Sequence, residues 1–97
     1  MSRTVVVRYR TRPESAQENV RLVRQVYAEL AAAGPADFRY RTYQLDDGVT
    51  FVHVAEQDGE VNPLAGLPAF AEFQRELSGR CAEPPAPATA TVVGSYR

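Results

Sequence analysis

The stretch FRYRTYQLDDGVTFVHVAE, Phe38 to Glu56, decides how this chain folds. Two runs rich in β-branched and aromatic residues, Phe38 to Leu45 and Val49 to Glu56, flank Asp46-Asp47-Gly48. Such residues favour extended backbone, and Asp-Gly between them signals a hairpin, because a type I′ turn needs positive φ at both central positions. With Asp47-Gly48 as the two-residue turn, counting outward pairs Leu45 with Thr50, Tyr43 with Val52, Thr42 with His53 and Arg41 with Val54. The same count pairs Tyr40 with Ala55 and Arg39 with Glu56, the last as a cross-strand ion pair. One face of the hairpin then carries Phe38, Tyr40, Thr42, Gln44, Phe51, His53 and Ala55. The other carries Arg39, Arg41, Tyr43, Leu45, Val52, Val54 and Glu56, and a slip of one residue would exchange the two.

Upstream of the hairpin, Thr4 to Arg10 (TVVVRYR) reads as a strand. A helix follows from the region of Pro13-Glu14-Ser15, where two capping boxes compete, Thr11 with Glu14 and Ser15 with Glu18. Val20, Val23, Val26, Tyr27 and Leu30 recur at helical spacing as its buried stripe, and Gly34-Pro35 ends it. Downstream, Gln57 to Gly66 is a polar loop and Leu67 to Ser78 a second helix, with Leu67, Phe70, Phe73 and Leu77 inward and Gly79 as cap. Cys81 to Pro87 (CAEPPAP) reads as a proline-rich crossing, and Ala88 to Tyr96 as the closing strand. The order β-α-β-β-α-β predicts an α+β, ferredoxin-like sandwich, a single domain over residues 1–97. Two helices cover one face of a four-stranded sheet, yet Val6 and Val52 make the other face apolar as well. A second copy of the chain is the expected cover, giving a homodimer through the open sheet face.

Composition removes several functional classes. Net charge is −1, and although residues 1–45 hold eight Arg against four acids, the arginines at 8, 10, 39 and 41 alternate along strands. No basic patch with interleaved aromatics emerges, so nucleic acid is not the expected partner. The chain contains no lysine, which removes Schiff-base chemistry. One cysteine, Cys81, excludes a disulfide framework and a cysteine-cluster zinc site within one chain. Asp46, Asp47 and Asp58 are turn residues without EF-hand spacing, so no metal site is expected. Apolar runs are too short for a membrane span, and Met1-Ser2-Arg3 leads straight into a strand, which predicts a cytoplasmic location.

The hairpin face bearing Tyr40, Thr42, Gln44, Phe51 and His53 mixes aromatics with uncharged polar groups, a lining suited to a flat, partly polar molecule. His53, the sole histidine, is the group whose ordinary chemistry suits proton transfer near neutrality, and Tyr40 is placed to donate to a developing enolate or phenolate. His53 also has a structural reading, as a core histidine bonded to Thr42. Tyr9, Tyr27, Tyr43 and Tyr96 read as packing residues with one polar tip, and Cys81, with no histidine near it in sequence, as inert.

With these elements in place, the chain resembles the dimeric α+β barrel superfamily, in particular antibiotic-biosynthesis-monooxygenase-like proteins. The resemblance rests on element order, on Phe51-Val52-His53-Val54 in the third strand, and on Leu67-Pro68-Ala69-Phe70-Ala71-Glu72-Phe73 at the second helix. It implies two sheets packed face to face in a homodimer, with a ligand cavity between sheet and helices in each subunit. Monooxygenase members typically carry a tryptophan soon after the third strand, where this chain has Ala55-Glu56-Gln57-Asp58. Haem-degrading members use an asparagine, a tryptophan and a histidine, a set this tryptophan-free chain lacks. His53 matches a position where some cyclase-like and stress-associated members place a histidine. The expected function is binding a small aromatic or polyketide-like ligand, with cofactor-independent oxygenation as the finer reading. In it His53 is the catalytic base and Tyr40 the oxyanion donor; Phe51, Thr42 and Gln44 line the site, and no metal, flavin or other cofactor is called for. The alternatives are a non-catalytic barrel that binds a ligand or partner, and a polyketide cyclase or isomerase.

Overall fold

A computed structural model describes residues 2–96. In chain order they form β1 (Arg3–Thr11), α1 (Ala16–Ala33), β2 (Phe38–Gln44), β3 (Thr50–Gln57), α2 (Pro68–Arg75), the single turn α3 (Leu77–Arg80) and β4 (Cys81–Ala90). Short 3-10 turns occupy Pro13–Ser15 and Pro63–Gly66. The strands make one antiparallel sheet in the order β2-β3-β1-β4, the ferredoxin-like α+β arrangement that the hairpin and its flanks predict.

The hairpin register is the one obtained by counting outward from the turn, with Thr42 opposite His53 and Arg39 opposite Glu56. The turn itself differs. Among the described residues only Gly34, Asp37 and Gly48 have positive φ, so Asp47 does not take the type I′ conformation. The Gly48 N–H donates to the Leu45 carbonyl at 2.9 Å, and the Asp47 carboxylate accepts from the N–H groups of Val49 and Thr50 and from the Thr50 hydroxyl. A side chain thus supplies what a second left-handed residue was expected to supply. The register holds because Phe51 and His53 are buried, and a one-residue slip would turn both to the opposite face.

α1 ends as expected, with Gly34 left-handed at φ 56 and its N–H on the Leu30 carbonyl. Its start is not either capping box: Ser15 makes no side-chain cap bond, and the Thr11 hydroxyl is drawn to the Val49 carbonyl at 3.3 Å. The buried face of α1 is Ala16, Asn19, Leu22, Val23 and Val26, while Val20, Tyr27 and Leu30 pack at its edge. The second helix is broken at Glu76 (φ −124, ψ 23), so Gly79 lies inside α3 instead of capping a longer helix. The free N-terminus of α2 is capped from a distance, by Glu29 of α1 accepting the Ala69 N–H at 2.9 Å.

The expected proline-rich crossing is itself the last strand. β4 pairs with β1 from Cys81 to Ala90, and residues 91–96 are not a strand. Prolines are tolerated there because β4 is an edge, where a missing N–H need not break a ladder on both sides. Register shifts against Arg8, Arg10 and Thr11 mark the irregular stretch around Glu83 and Pro84.

Both helices lie on one face of the sheet. There Tyr9, Leu22, Val26, Phe51, Leu64 and Phe73 form the core, Phe51 at 1% exposure and stacked on Tyr9 at 5.5 Å between centroids. The other face carries half-buried Val6, Val52 and Val54 among exposed Arg8, Arg41 and Tyr43. The segment after β4 runs back over it, so that Val92, Gly94 and Ser95 share a recess with Thr4, Tyr43 and Val54.

Hydrogen bonds to its ionised form hold the Asp47 carboxyl below the usual carboxylate range. A folded value below the unfolded one gives stability that is present above the unfolded value of about 4 and lost as pH falls through the folded one. Asp47→Ala should therefore unfold at lower urea than the parent at pH 7, with the gap closing as the pH drops below that range. An acid-independent gap in paired urea titrations would contradict this role.

Candidate functional site

Cross-strand register brings the polar groups together. His53 stands opposite Val7 on β1 and opposite Thr42 on β2, which places Tyr9 and Tyr40 on its diagonals, all toward the helices. The ring is 5% exposed and bonded at both nitrogens. Nε2 lies 2.7 Å from the Tyr9 hydroxyl; Nδ1 lies 2.6 Å from the Tyr40 hydroxyl and 3.1 Å from that of Thr42. Two extensions lead away. On one side Thr42 meets the Tyr27 hydroxyl at 2.9 Å. On the other Asn19 Nδ2 donates to Tyr9 at 2.8 Å, and Asn19 Oδ1 accepts from Arg80 Nε at 3.2 Å.

Arg80 is 7% exposed, an uncommon position for a guanidinium. A second donation, from Nη2 to the Phe73 carbonyl at 2.7 Å, and a ring contact with Phe73 at 5.4 Å accommodate it. Arg80 shares a recess with Glu14, Glu18, Glu72, Arg75 and Glu76, where Glu18 pairs with Arg21 and Glu72 with Arg75. Among the described residues no buried side-chain nitrogen or oxygen lacks a hydrogen-bond partner.

Burial sets the electrostatics of the cluster. It pushes His53 down from 6.5 to about 4, because taking the imidazolium out of water is costly and no carboxylate stands beside the ring to offset it. Burial likewise raises Tyr9 and Tyr40 well above an ordinary tyrosine, against smaller opposing effects of the bonds from Asn19 and Thr42. All three groups are therefore neutral near pH 7. Burial also raises the Cys81 thiol, which leaves it protonated and unsuited to nucleophilic work.

A cavity of about 440 Å³ opens beside this cluster, between the sheet and α2. Its inner wall is Val5, Val7, Tyr9, Tyr40 and His53, faced by Phe70 and Phe73, and Arg3, Gln57 and Glu60 stand among its polar lining. The volume falls within the range of small-molecule sites, and the mixture of apolar walls and few polar groups is typical of them. Of the residues predicted for the site, His53 and Tyr40 line this cavity. Thr42, Phe51 and Gln44 instead share a smaller recess of about 240 Å³ under α1, with Thr42 still touching His53. Gln44 is exposed and spends its amide on the Gly48 carbonyl. Arg39 and Glu56 do pair, at 3.9 Å, in solvent where such a pair contributes little. Among the described residues no three His, Cys, Asp or Glu side chains meet in a group that could hold a metal ion, and no helix is long and apolar enough to cross a membrane.

The hairpin pattern does not join Tyr9 to His53, nor Asn19, Tyr27 and Arg80 to the groups around it. A local signal existed for Asn19, a polar residue falling on the buried face of an amphipathic helix. Arg80 gave none, because its partner Asn19 is 61 positions away.

No protein-family model and no curated protein matches the chain. Solved structures do. The protein Rv0793 from Mycobacterium tuberculosis superposes with a TM-score of 0.79 at 16% identity, covering 100% of both chains. SnoaB of Streptomyces nogalater, a cofactor-independent oxygenase seen as a point mutant, gives 0.70 at 15% identity over 97% of this chain and 95% of that one. An antibiotic biosynthesis monooxygenase gives 0.73 at 15% identity over 97% and 100%. At these identities the likeness is one of fold: the chain shares the ferredoxin-like α+β architecture of these proteins.

Because folding keeps His53 neutral down to about pH 4 while the unfolded ring takes a proton near 6.5, stability should be full above pH 6.5 and fall as the pH drops toward 4. The loss across that window is about 3 kcal/mol, from the size of the shift. NMR titration of this single histidine should show no protonation until near pH 4, and titration near 6.5 would refute the buried, neutral ring.

Proposed function

We propose that the protein binds a flat aromatic compound carrying a phenolic or keto oxygen in the cavity beside His53, and oxygenates it without a cofactor. The observation that carries this reading is the meeting of an apolar cavity of about 440 Å³ with the Tyr40–His53 pair on its wall. The fold shared with a cofactor-independent oxygenase supports the reaction class. In such a reaction the substrate is its own reductant: it gives up two hydrogens, one atom of dioxygen enters it as a carbonyl, and the other leaves as water.

Tyr40 in this reading donates to the oxygen on which negative charge develops, and His53 takes the substrate proton through a touching hydroxyl. Burial alone makes the imidazolium costly, and a phenolate bound beside it supplies the opposite charge that offsets the cost. Oxygen uptake with a panel of phenols and hydroquinones tests the proposal. Uptake should appear with a subset, and Tyr40→Phe, which keeps the ring, should lower kcat by roughly 10²–10³-fold. Equal turnover in that variant would remove Tyr40 from the chemistry.

A second reading, a ligand-binding barrel without catalysis, is favoured by one observation: both nitrogens of His53 are already occupied by internal partners. Binding of the same compounds by calorimetry with no oxygen consumed would select it.

We further propose that the functional unit is a homodimer joined through the sheet face opposite the helices, where Val6, Val52 and Val54 form an apolar strip beside the segment that follows β4. Sedimentation should give twice the mass of 10.7 kDa, and Val54→Arg should shift the protein toward monomer. A parent that sediments as a monomer at micromolar concentration would exclude the dimer.

A further inference from the structure

The hydrogen-bond chain through the site has a direction, and the direction is set at its far end. An arginine side chain only donates, so the oxygen of the Asn19 amide must face Arg80 Nε. The amide nitrogen then faces Tyr9 and donates to its hydroxyl oxygen. Tyr9 is buried, and the contacts of its hydroxyl are Asn19 and His53 Nε2. With Asn19 giving, the one acceptor left for the Tyr9 proton is the lone pair of Nε2. A neutral imidazole has one N–H and one lone pair, so its proton sits on Nδ1 and is given to the Tyr40 hydroxyl at 2.6 Å, with the Thr42 hydroxyl as the longer contact at 3.1 Å. The opposite tautomer would make Tyr9 accept twice and leave its own proton with no acceptor among the described residues.

We infer that Arg80 and Asn19 are positioning residues that fix His53 with its proton on Nδ1, so that Tyr9 is the hydroxyl through which the ring receives a proton and Tyr40 the one that the ring polarises toward the cavity. This rests on the proposed use of the His53–Tyr40 pair and assigns the two hydroxyls different roles. Tyr9 and Tyr40 both line the cavity, Tyr9 buried and Tyr40 half-buried. A substrate proton enters through Tyr9, which passes its own to Nε2 as it takes the new one. Tyr40, already accepting from Nδ1–H, keeps its proton for an oxygen of the ligand. Neither Arg80 nor Asn19 lines that cavity.

The test is spectroscopic and needs no substrate. The chain has one histidine, so the ring nitrogens of ¹⁵N-labelled protein report on His53 alone. In the parent at pH 7 the signal of a protonated, pyrrole-type nitrogen should belong to Nδ1, and that of a lone-pair nitrogen to Nε2; the reverse would overturn the inference at once. Asn19→Asp replaces the donor to Tyr9 by a carboxylate, which turns the Tyr9 proton away from the ring. The proton of His53 should then move to Nε2, and an unchanged tautomer would show that Asn19 does not set it. Tyr9→Phe cuts the relay with the ring kept, and both tautomers should coexist. A single parent-like tautomer there would assign control to Tyr40 and Thr42 and remove Arg80 and Asn19 from the role. Oxygen uptake is a separate readout, so a correct tautomer without turnover would count against the oxygenase reading and leave the positioning role standing.

Discussion

The bond between Tyr9 and His53 joins the two central strands, β1 and β3, inside the core. A polar contact at 2.7 Å between groups 2% and 5% exposed is a demanding feature, because without it His53 Nε2 would be buried unpaired and the Tyr9 hydroxyl would keep only Asn19. Much of the nearby architecture follows from satisfying it. Phe51 stacks on Tyr9 within the sheet and Phe73 packs on His53 from α2. Asn19 is completely buried on α1 because Tyr9 needs a second partner, and Arg80 is drawn inward because Asn19 does. Each step places a more polar residue deeper than its type prefers, and each is offset by the bond to the one before.

That chain also explains the irregular second half. A continuous helix from Leu67 to Ser78 would carry the chain onward without the reorientation seen at Glu76. After the break, α3 brings Arg80 to Asn19, and the Arg80 carbonyl receives the Arg12 N–H at 2.8 Å as β4 begins. Glu29 meanwhile caps α2 from α1, so the two helices are fixed to one another by a charge-assisted bond as well as by apolar contact. The cavity lies between this helical layer and the sheet, and Glu60 and Asn62 of the segment after β3 add to its wall.

Legibility in the sequence followed the range of the interactions. Strand pairing within the hairpin was readable because alternation has period two and one face is buried; even a wrong turn type left Thr42 opposite His53. His53 and Tyr40 were readable as neighbours for the same reason. Local capping signals were less reliable: the Thr11 hydroxyl is used by the sheet, not by the helix it precedes. The last strand was misplaced because prolines argue against a strand until it is known to be an edge, and edge position is a property of the whole sheet. Gln44 and Phe51 share the face of His53 yet line another recess, since α1 covers that end of the sheet.

By itself the sequence determined the element order, the faces of the hairpin and the chemical types available: a single histidine, no lysine and one cysteine. These follow from periodicity and composition, which need no knowledge of distant contacts. Only the tertiary structure decided that Tyr9 belongs to the site, that Asn19 and Arg80 stand behind it, and that the histidine is neutral. Tyr9 and His53 are 44 positions apart, and burial depends on what packs above a residue, which no local pattern records.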